Sequence, residues 1–78
     1  MNRRTVKAIT EAISQHDNDL LKIFVKEQKG EWFWEMIVIP KKGYEHLIPH
    51  IEHIGKSIGQ FYGEGLYVEK KENYILFS

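Results

Sequence analysis

The feature that most constrains the fold is an order of periodicities that occurs twice along the chain. Segments 3–15 and 49–62 repeat apolar residues every three to four positions, which is typical of amphipathic helices. Each is followed by two segments in which apolar and polar residues alternate, as in half-buried strands. The predicted strands are 20–27, 31–39, 66–70 and 73–77. The sequence therefore predicts the order αββαββ within one domain, 1–78.

The helix ends can be predicted from local chemistry. Asn2 is placed to cap the first helix. Pro49 suits the first turn of the second helix, preceded by a turn or short helical lead-in over 44–48. Gly63-Glu64-Gly65 should end that helix. Its predicted apolar stripe is Ile51, Ile54, Ile58 and Phe61.

The first hairpin is predicted to turn at Lys29-Gly30. A two-residue turn places one apolar set on the core face and keeps Glu31 and Glu35 off it, where burial would be costly. The expected pairs are Glu27 with Trp32, Val25 with Trp34, Ile23 with Met36 and Leu21 with Val38. In the second hairpin, a turn at Lys71-Glu72 or Glu72-Asn73 keeps the apolar residues of both strands on one face.

The two halves, 1–40 and 41–78, resemble each other. Ile9-x-x-x-Ile13-x-Gln15 matches Ile54-x-x-x-Ile58-x-Gln60. The likeness has two explanations, an internal duplication or two amphipathic αββ units that look alike.

Either origin gives the same architecture. Lysines suit exposed edge strands, so we expect the strand order 20–27, 31–39, 73–77, 66–70, with both helices on one face. This is an α+β two-layer sandwich with a permuted ferredoxin-like arrangement.

Two helices cover only one face of such a sheet, so the opposite face is the main candidate site. It should present six apolar or aromatic residues, Phe24, Phe33, Ile37, Tyr67, Tyr74 and Leu76. Charged residues alternate with them, namely Lys22, Lys26, Glu31, Glu35 and Glu69. A solvated face normally carries fewer aromatics.

Three explanations of this face compete. Aromatic anchors among charges are typical of protein–protein surfaces, either a homodimer or capture of a larger partner. Phe33 and Tyr74 could instead stack single-stranded nucleic-acid bases. However, eleven basic residues balance eleven acidic ones, and Glu31 and Glu35 would repel phosphate. In the third explanation, the connection 40–48 or a terminus covers the face.

A second candidate site is a group of three histidines, His46, His50 and His53, close to Glu45 and Glu52. Imidazole and carboxylate suit zinc or nickel. Pro49 separates His46 from the helix, so we interpret the group as a solvated helix face rather than a metal site.

Gly55, Gly59 and Gly63 recur every four residues on the second helix. A glycine inside a helix costs about 1 kcal/mol, so a packing reason is expected. Close packing within the domain is the preferred explanation, and contact with a partner helix is the alternative.

Several functional classes find no support in the sequence. The chain has no cysteine, so no disulfide or thiolate metal site can form. No nucleophile motif or phosphate-binding loop is visible, and we predict no enzymatic activity and no cofactor. Without a signal-like segment or an apolar run of about 18 residues, we expect no membrane partner and a cytoplasmic location. The sequence favours a small regulator or inhibitor that binds protein, a class to which phage-encoded inhibitors belong.

Overall fold

The computed structural model of the chain describes residues 1–17, 19–27 and 33–78. Within them the predicted order αββαββ is confirmed. The elements are α1 (Arg3–Asp17), β1 (Leu21–Glu27), β2 (Trp34–Pro40), α2 (Ile48–Phe61), β3 (Val68–Lys70) and β4 (Ile75–Phe77). A 3-10 turn over Glu45–Leu47 leads into α2, as expected from the position of Pro49.

The strands form one antiparallel sheet in the order β1-β2-β4-β3, and both helices pack on one of its faces. The buried hydrophobic residues come from both layers, and are Val6, Ile9, Ile13, Met36, Val38, Ile48, Ile51, Ile75 and Phe77. The predicted two-layer α+β sandwich is therefore confirmed, with the more apolar strands in the centre. Its ferredoxin-like character and the common origin of the two halves stay predictions.

The predicted register of the first hairpin is wrong by two residues. Glu27 pairs with Trp34, Val25 with Met36 and Leu21 with Pro40. Six residues therefore lie between Glu27 and its partner, whereas the predicted pairing left four. The proposed turn at Lys29-Gly30 lies outside the described residues. A shift of two residues leaves every side chain on its predicted face, so the alternation of the sequence could not detect it.

The edge strand β1 is more exposed to solvent than its alternating sequence pattern predicts. Val25 points to the helix side, yet 43% of it is exposed, so its predicted place in the core is wrong. Ile23 and Leu21 are only half-buried. The reason is position, because β1 lies at the sheet edge.

The second hairpin is shorter than predicted but keeps its faces. Val68 pairs with Phe77 and Lys70 with Ile75. The N–H of Lys71 donates to the carbonyl of Tyr74 at 2.9 Å, so the two turn residues are 72 and 73. This is the second of the two turns that the sequence allowed.

The predicted start of α1 and the predicted end of α2 are confirmed, whereas α1 continues two residues past its predicted end at residue 15. Asn2 Oδ1 accepts the N–H of Arg4 at 2.8 Å, which is an N-cap. At the end of α2, the N–H of Glu64 donates to the carbonyl of Gly59 at 2.8 Å, and that of Gly63 donates to Gln60 at 3.0 Å. These two bonds form a Schellman motif, which explains the left-handed φ of 72° at Gly63.

The start of α1 carries a tertiary contact that local patterns do not reveal. The Glu64 carboxylate accepts the Asn2 N–H at 3.2 Å and the hydroxyl of Thr5 at 2.9 Å. Thr5 is fully buried. Negative charge at a helix N-terminus is favourable, so this carboxylate fastens the end of α2 to the start of α1.

The buried stripe of α2 differs from the predicted one because glycines belong to it. Gly55 and Gly59 are buried, while Phe61 is 82% exposed and packs edge-on against Tyr62. A Cβ on Gly55 would overlap the ring of Phe77, and one on Gly59 would lie 2.7 Å from Leu66 Cγ. The buried stripe of α2 therefore includes the glycines, and Phe61 lies on the solvent side of the helix. Gly55 and Gly59 therefore serve packing within the domain, as expected, whereas a Cβ on Gly63 would contact nothing and that glycine is needed for its left-handed φ.

Candidate interaction face

The sheet surface opposite the helices, here called the outer face, is organised in rows that cross all four strands. In the central row the Cα partners follow one another from edge to edge, and its residues are Phe24, Ile37, Leu76 and Glu69. Three of the six predicted site residues are therefore direct neighbours. Together they make a continuous apolar strip over three adjacent strands.

A second row lies beside the strip, toward the end of β2. Lys22 pairs with Ile39. The same register places Ile39 across from Tyr74. The Tyr74 carbonyl in turn accepts a hydrogen bond from the N–H of Lys71. Ile39 was left out of the predicted site, although its odd-numbered position on β2 places it there. It extends the apolar strip toward Tyr74.

The third row lies on the opposite side of the strip. Lys26 pairs with Glu35, and Ser78 exchanges both backbone hydrogen bonds with Tyr67. Phe33 precedes β2 and lines a shallow depression with Glu35 and Ser78. Tyr67 and Phe33 therefore lie at one end of the outer face, while Tyr74 lies at the other.

This geometry bears on base stacking. From Ile39 to Phe33 the chain advances six residues, which is about 20 Å if extended. Phe33 and Tyr74 are thus far apart along the strands and do not form one stacking platform for neighbouring bases.

The outer face is open to solvent within the part of the chain that the structure describes. Phe24 is 56% exposed, Phe33 59% and Tyr67 62%. Ile37, Tyr74 and Leu76 are half-buried by their neighbours on the sheet. The connection 40–48 therefore leaves these aromatics uncovered, which removes the third explanation of the face for Phe24 and Tyr67.

Most charges of the outer face lie on its two edge strands, and Glu35 lies on β2. Lys22 and Lys26 are the charged residues that β1 presents there. Glu69 lies on the other edge strand, β3, and its carboxylate is 3.5 Å from the ammonium of Lys71. Lys22 and Lys26 are thus separated from Glu69 by the apolar strip, while Glu35 on β2 lies beside Lys26.

The histidines do not converge. His46 lies in the 3-10 turn with its ring centroid 6.0 Å from that of Tyr44, and His50 and His53 are exposed on α2. Over residues 1–17, 19–27 and 33–78, no three His, Asp or Glu side chains are grouped so as to hold a metal ion. These candidates therefore receive no support as a site.

Glu52 occupies the helix side of the sheet and belongs to the scaffold. Its carboxylate lies 3.1 Å from the ammonium groups of both Lys70 and Lys56. Hydrogen bonds from Lys70 first, and then from Lys56, hold the pKa of Glu52 below its usual value. The pair with Lys70 ties α2 to the edge strand β3.

Comparisons with known proteins give no further assignment. None of the helices in the described segments is long and apolar enough to cross a membrane. Protein-family models, curated proteins and solved structures were each compared with the chain, and none of them matches it.

Proposed function

We propose that this chain is a small, non-enzymatic protein-binding module that uses the outer face of its sheet as the interface, and acts as a regulator or inhibitor in the cytoplasm. The observation that carries the proposal is the outward-facing apolar strip across three strands, in which Phe24 is 56% exposed and Ile37 and Leu76 are half-buried. Such a strip has no role in the core, which lies on the other side of the sheet.

The free energy available on this face supports binding. Complete burial of a phenylalanine side chain is worth about 1.5–3 kcal/mol. Phe24 retains more than half of its exposure, so a partner that covered it would gain roughly 1 kcal/mol from that residue. Tyr67 and Phe33 are exposed to a similar extent, and aromatic side chains of this kind are common interface anchors.

The charge of the face favours protein over nucleic acid. Glu35 lies beside Lys26, and Glu69 ends the central row. A groove that follows a phosphate backbone needs an excess of cations along its length, whereas here carboxylates interrupt the lysines. Binding to protein is compatible with both signs of charge.

The test compares a double variant of the outer face, Phe24→Ser with Tyr67→Ser, with the control Phe61→Ser. All three aromatics are more than half exposed, and Phe61 lies on α2, away from the sheet face. The readouts are solution mass and the proteins recovered with the tagged chain, after circular dichroism has shown that the variants fold.

We expect an association, with itself or with a defined partner, that persists in the control and is lost in the double variant. Identical behaviour of wild type, control and double variant would refute the proposal. Salt-dependent binding of oligonucleotides, abolished only by the double variant, would assign the face to nucleic acid instead.

A further inference from the structure

We propose that the partner of the outer face is a second copy of this chain, packed face to face about a two-fold axis that runs parallel to the strands. This inference rests on the proposed function, because it uses the same face. Rotation about that axis exchanges the two edges of the sheet, so β1 of each copy lies over β3 of the other.

Charge complementarity selects this arrangement. With β1 over β3, Glu69 of one copy lies opposite Phe24 of the other, between its two lysines, Lys22 and Lys26. The alternative two-fold axis, which runs across the strands, would set β1 over β1 and β3 over β3. Glu69 would then lie opposite Glu69 of the other copy, and Lys22 opposite Lys26. Like charges in contact disfavour that dimer.

The apolar residues match under the same rotation. Ile37 on β2 lies opposite Leu76 on β4 of the second copy, and Ile39 lies opposite Tyr74. Lys71 comes opposite Lys22, but its ammonium already has the Glu69 carboxylate at 3.5 Å. Each half of the dimer therefore repeats one pattern, an apolar centre with a carboxylate among lysines at the rim.

The available area agrees with a reversible dimer. Four strands about 4.8 Å apart form a face roughly 19 Å wide, and the three rows extend it by a similar length. The three aromatics that are more than half exposed offer on the order of 100 Å² each. With the half-buried residues of the strip, the total over both copies comes to about 1,200 Å², the lower end of stable interfaces. Self-association in the micromolar range is expected.

The test uses two opposite charge reversals, Lys26→Glu and Glu69→Lys. Each variant alone places like charges together in both halves of a symmetric dimer, so we expect its dissociation constant to rise about tenfold. When the two variants are mixed, the carboxylate introduced at position 26 of one chain meets the ammonium introduced at position 69 of the other. In the second half of that dimer, the unchanged Glu69 meets the unchanged Lys26. The mixture should form a heterodimer of near wild-type affinity.

Sedimentation velocity across the micromolar range, with one chain fluorescently labelled, measures both species. Lys7→Glu is the control, because Lys7 is exposed on α1 and is not part of the face. Its dimer should match the wild type, and thermal melting should show that all variants fold.

The outcomes separate this inference from the proposed function. A monomeric wild type would overturn the dimer while leaving capture of another protein through the face open to its own test. A dimer whose dissociation constant is unchanged by Glu69→Lys would also overturn the arrangement. Edge-to-edge pairing of β1 with β1 of a second copy would give that result, because Glu69 lies on β3. Failure of the mixed variants to restore association would do the same.

Discussion

Replacement of Gly55 by alanine tests the packing of α2 against the sheet. Gly55 is buried, and the space that a Cβ would occupy is already filled by Cε1 and Cζ of the Phe77 ring. Phe77 is itself fully buried between the two layers. The ring therefore cannot move aside without displacing the core around it.

Two opposing effects set the expected magnitude. Alanine is the better helix former by about 1 kcal/mol. Overpacking a core costs about 1–3 kcal/mol, and the upper half of that range applies because the clash involves a fully buried ring. The net loss should be about 1–2 kcal/mol, a large share of the roughly 3–5 kcal/mol that a single core of this size supplies.

Gly59→Ala supplies a matched control on the same helix. There the added Cβ would meet Leu66, a half-buried aliphatic side chain that can change rotamer. The gain in helix propensity should nearly offset this smaller clash, so we expect Gly59→Ala to be at least about 1 kcal/mol more stable than Gly55→Ala.

Urea unfolding followed by circular dichroism measures the effect. With an m-value of about 1 kcal/mol/M, the midpoint of Gly55→Ala should fall by about 1–2 M. Phe77→Leu should partly relieve the clash, so the double variant should lose at least about 1 kcal/mol less than the sum of the two single losses. A Gly55→Ala protein as stable as wild type or more stable, as helix propensity alone predicts, would refute the packing.

Two further predictions concern the carboxylates that join elements. Glu52→Gln should lower stability at neutral pH by about 0.5–1 kcal/mol. Folding lowers the pKa of Glu52, so its contribution is present above the unfolded pKa and is lost as the pH falls through the folded pKa. The urea midpoints of variant and wild type should therefore converge at acidic pH, once Glu52 is protonated in the folded state. Glu64→Ala removes the acceptor for Asn2 and Thr5 and should cost about 1–2 kcal/mol. Glu72→Ala, in the exposed turn, is its control; equal losses in both would contradict the role of Glu64.

The faces of the strands could be predicted from sequence, but the register could not. Alternation places Phe24 and Ile37 on the outer face whichever way the hairpin slides by two residues. The alternation does not specify whether Phe24 pairs with Ile37 or with Glu35. That choice of partner decides whether the central row is apolar. Only the packing of the whole sheet selects among registers of the same parity.

Phe61 shows a second limit, which comes from treating glycine as a break in an apolar stripe. Helical spacing alone groups Phe61 with Ile54 and Ile58. In the fold, Gly55 lies against the ring of Phe77 and Gly59 lies against Leu66, which is possible because neither glycine has a side chain. A buried glycine contributes nothing to a hydrophobicity pattern, so the true centre of the stripe is invisible in the sequence until the partner ring, Phe77, is known.

The apolar strip on the outer face is difficult to explain in a domain that has no binding partner. Two helices and one sheet face already bury the core, so Phe24 and Leu76 could be polar without a loss to that core. Single exposed apolar residues are ordinary, but here the register aligns three outward-facing apolar residues on adjacent strands. Lys22 and Lys26 lie at one edge of this row and Glu69 at the other. A mutation that adds charge at Ile37 should therefore weaken association more than it weakens folding, because its side chain faces away from the helices.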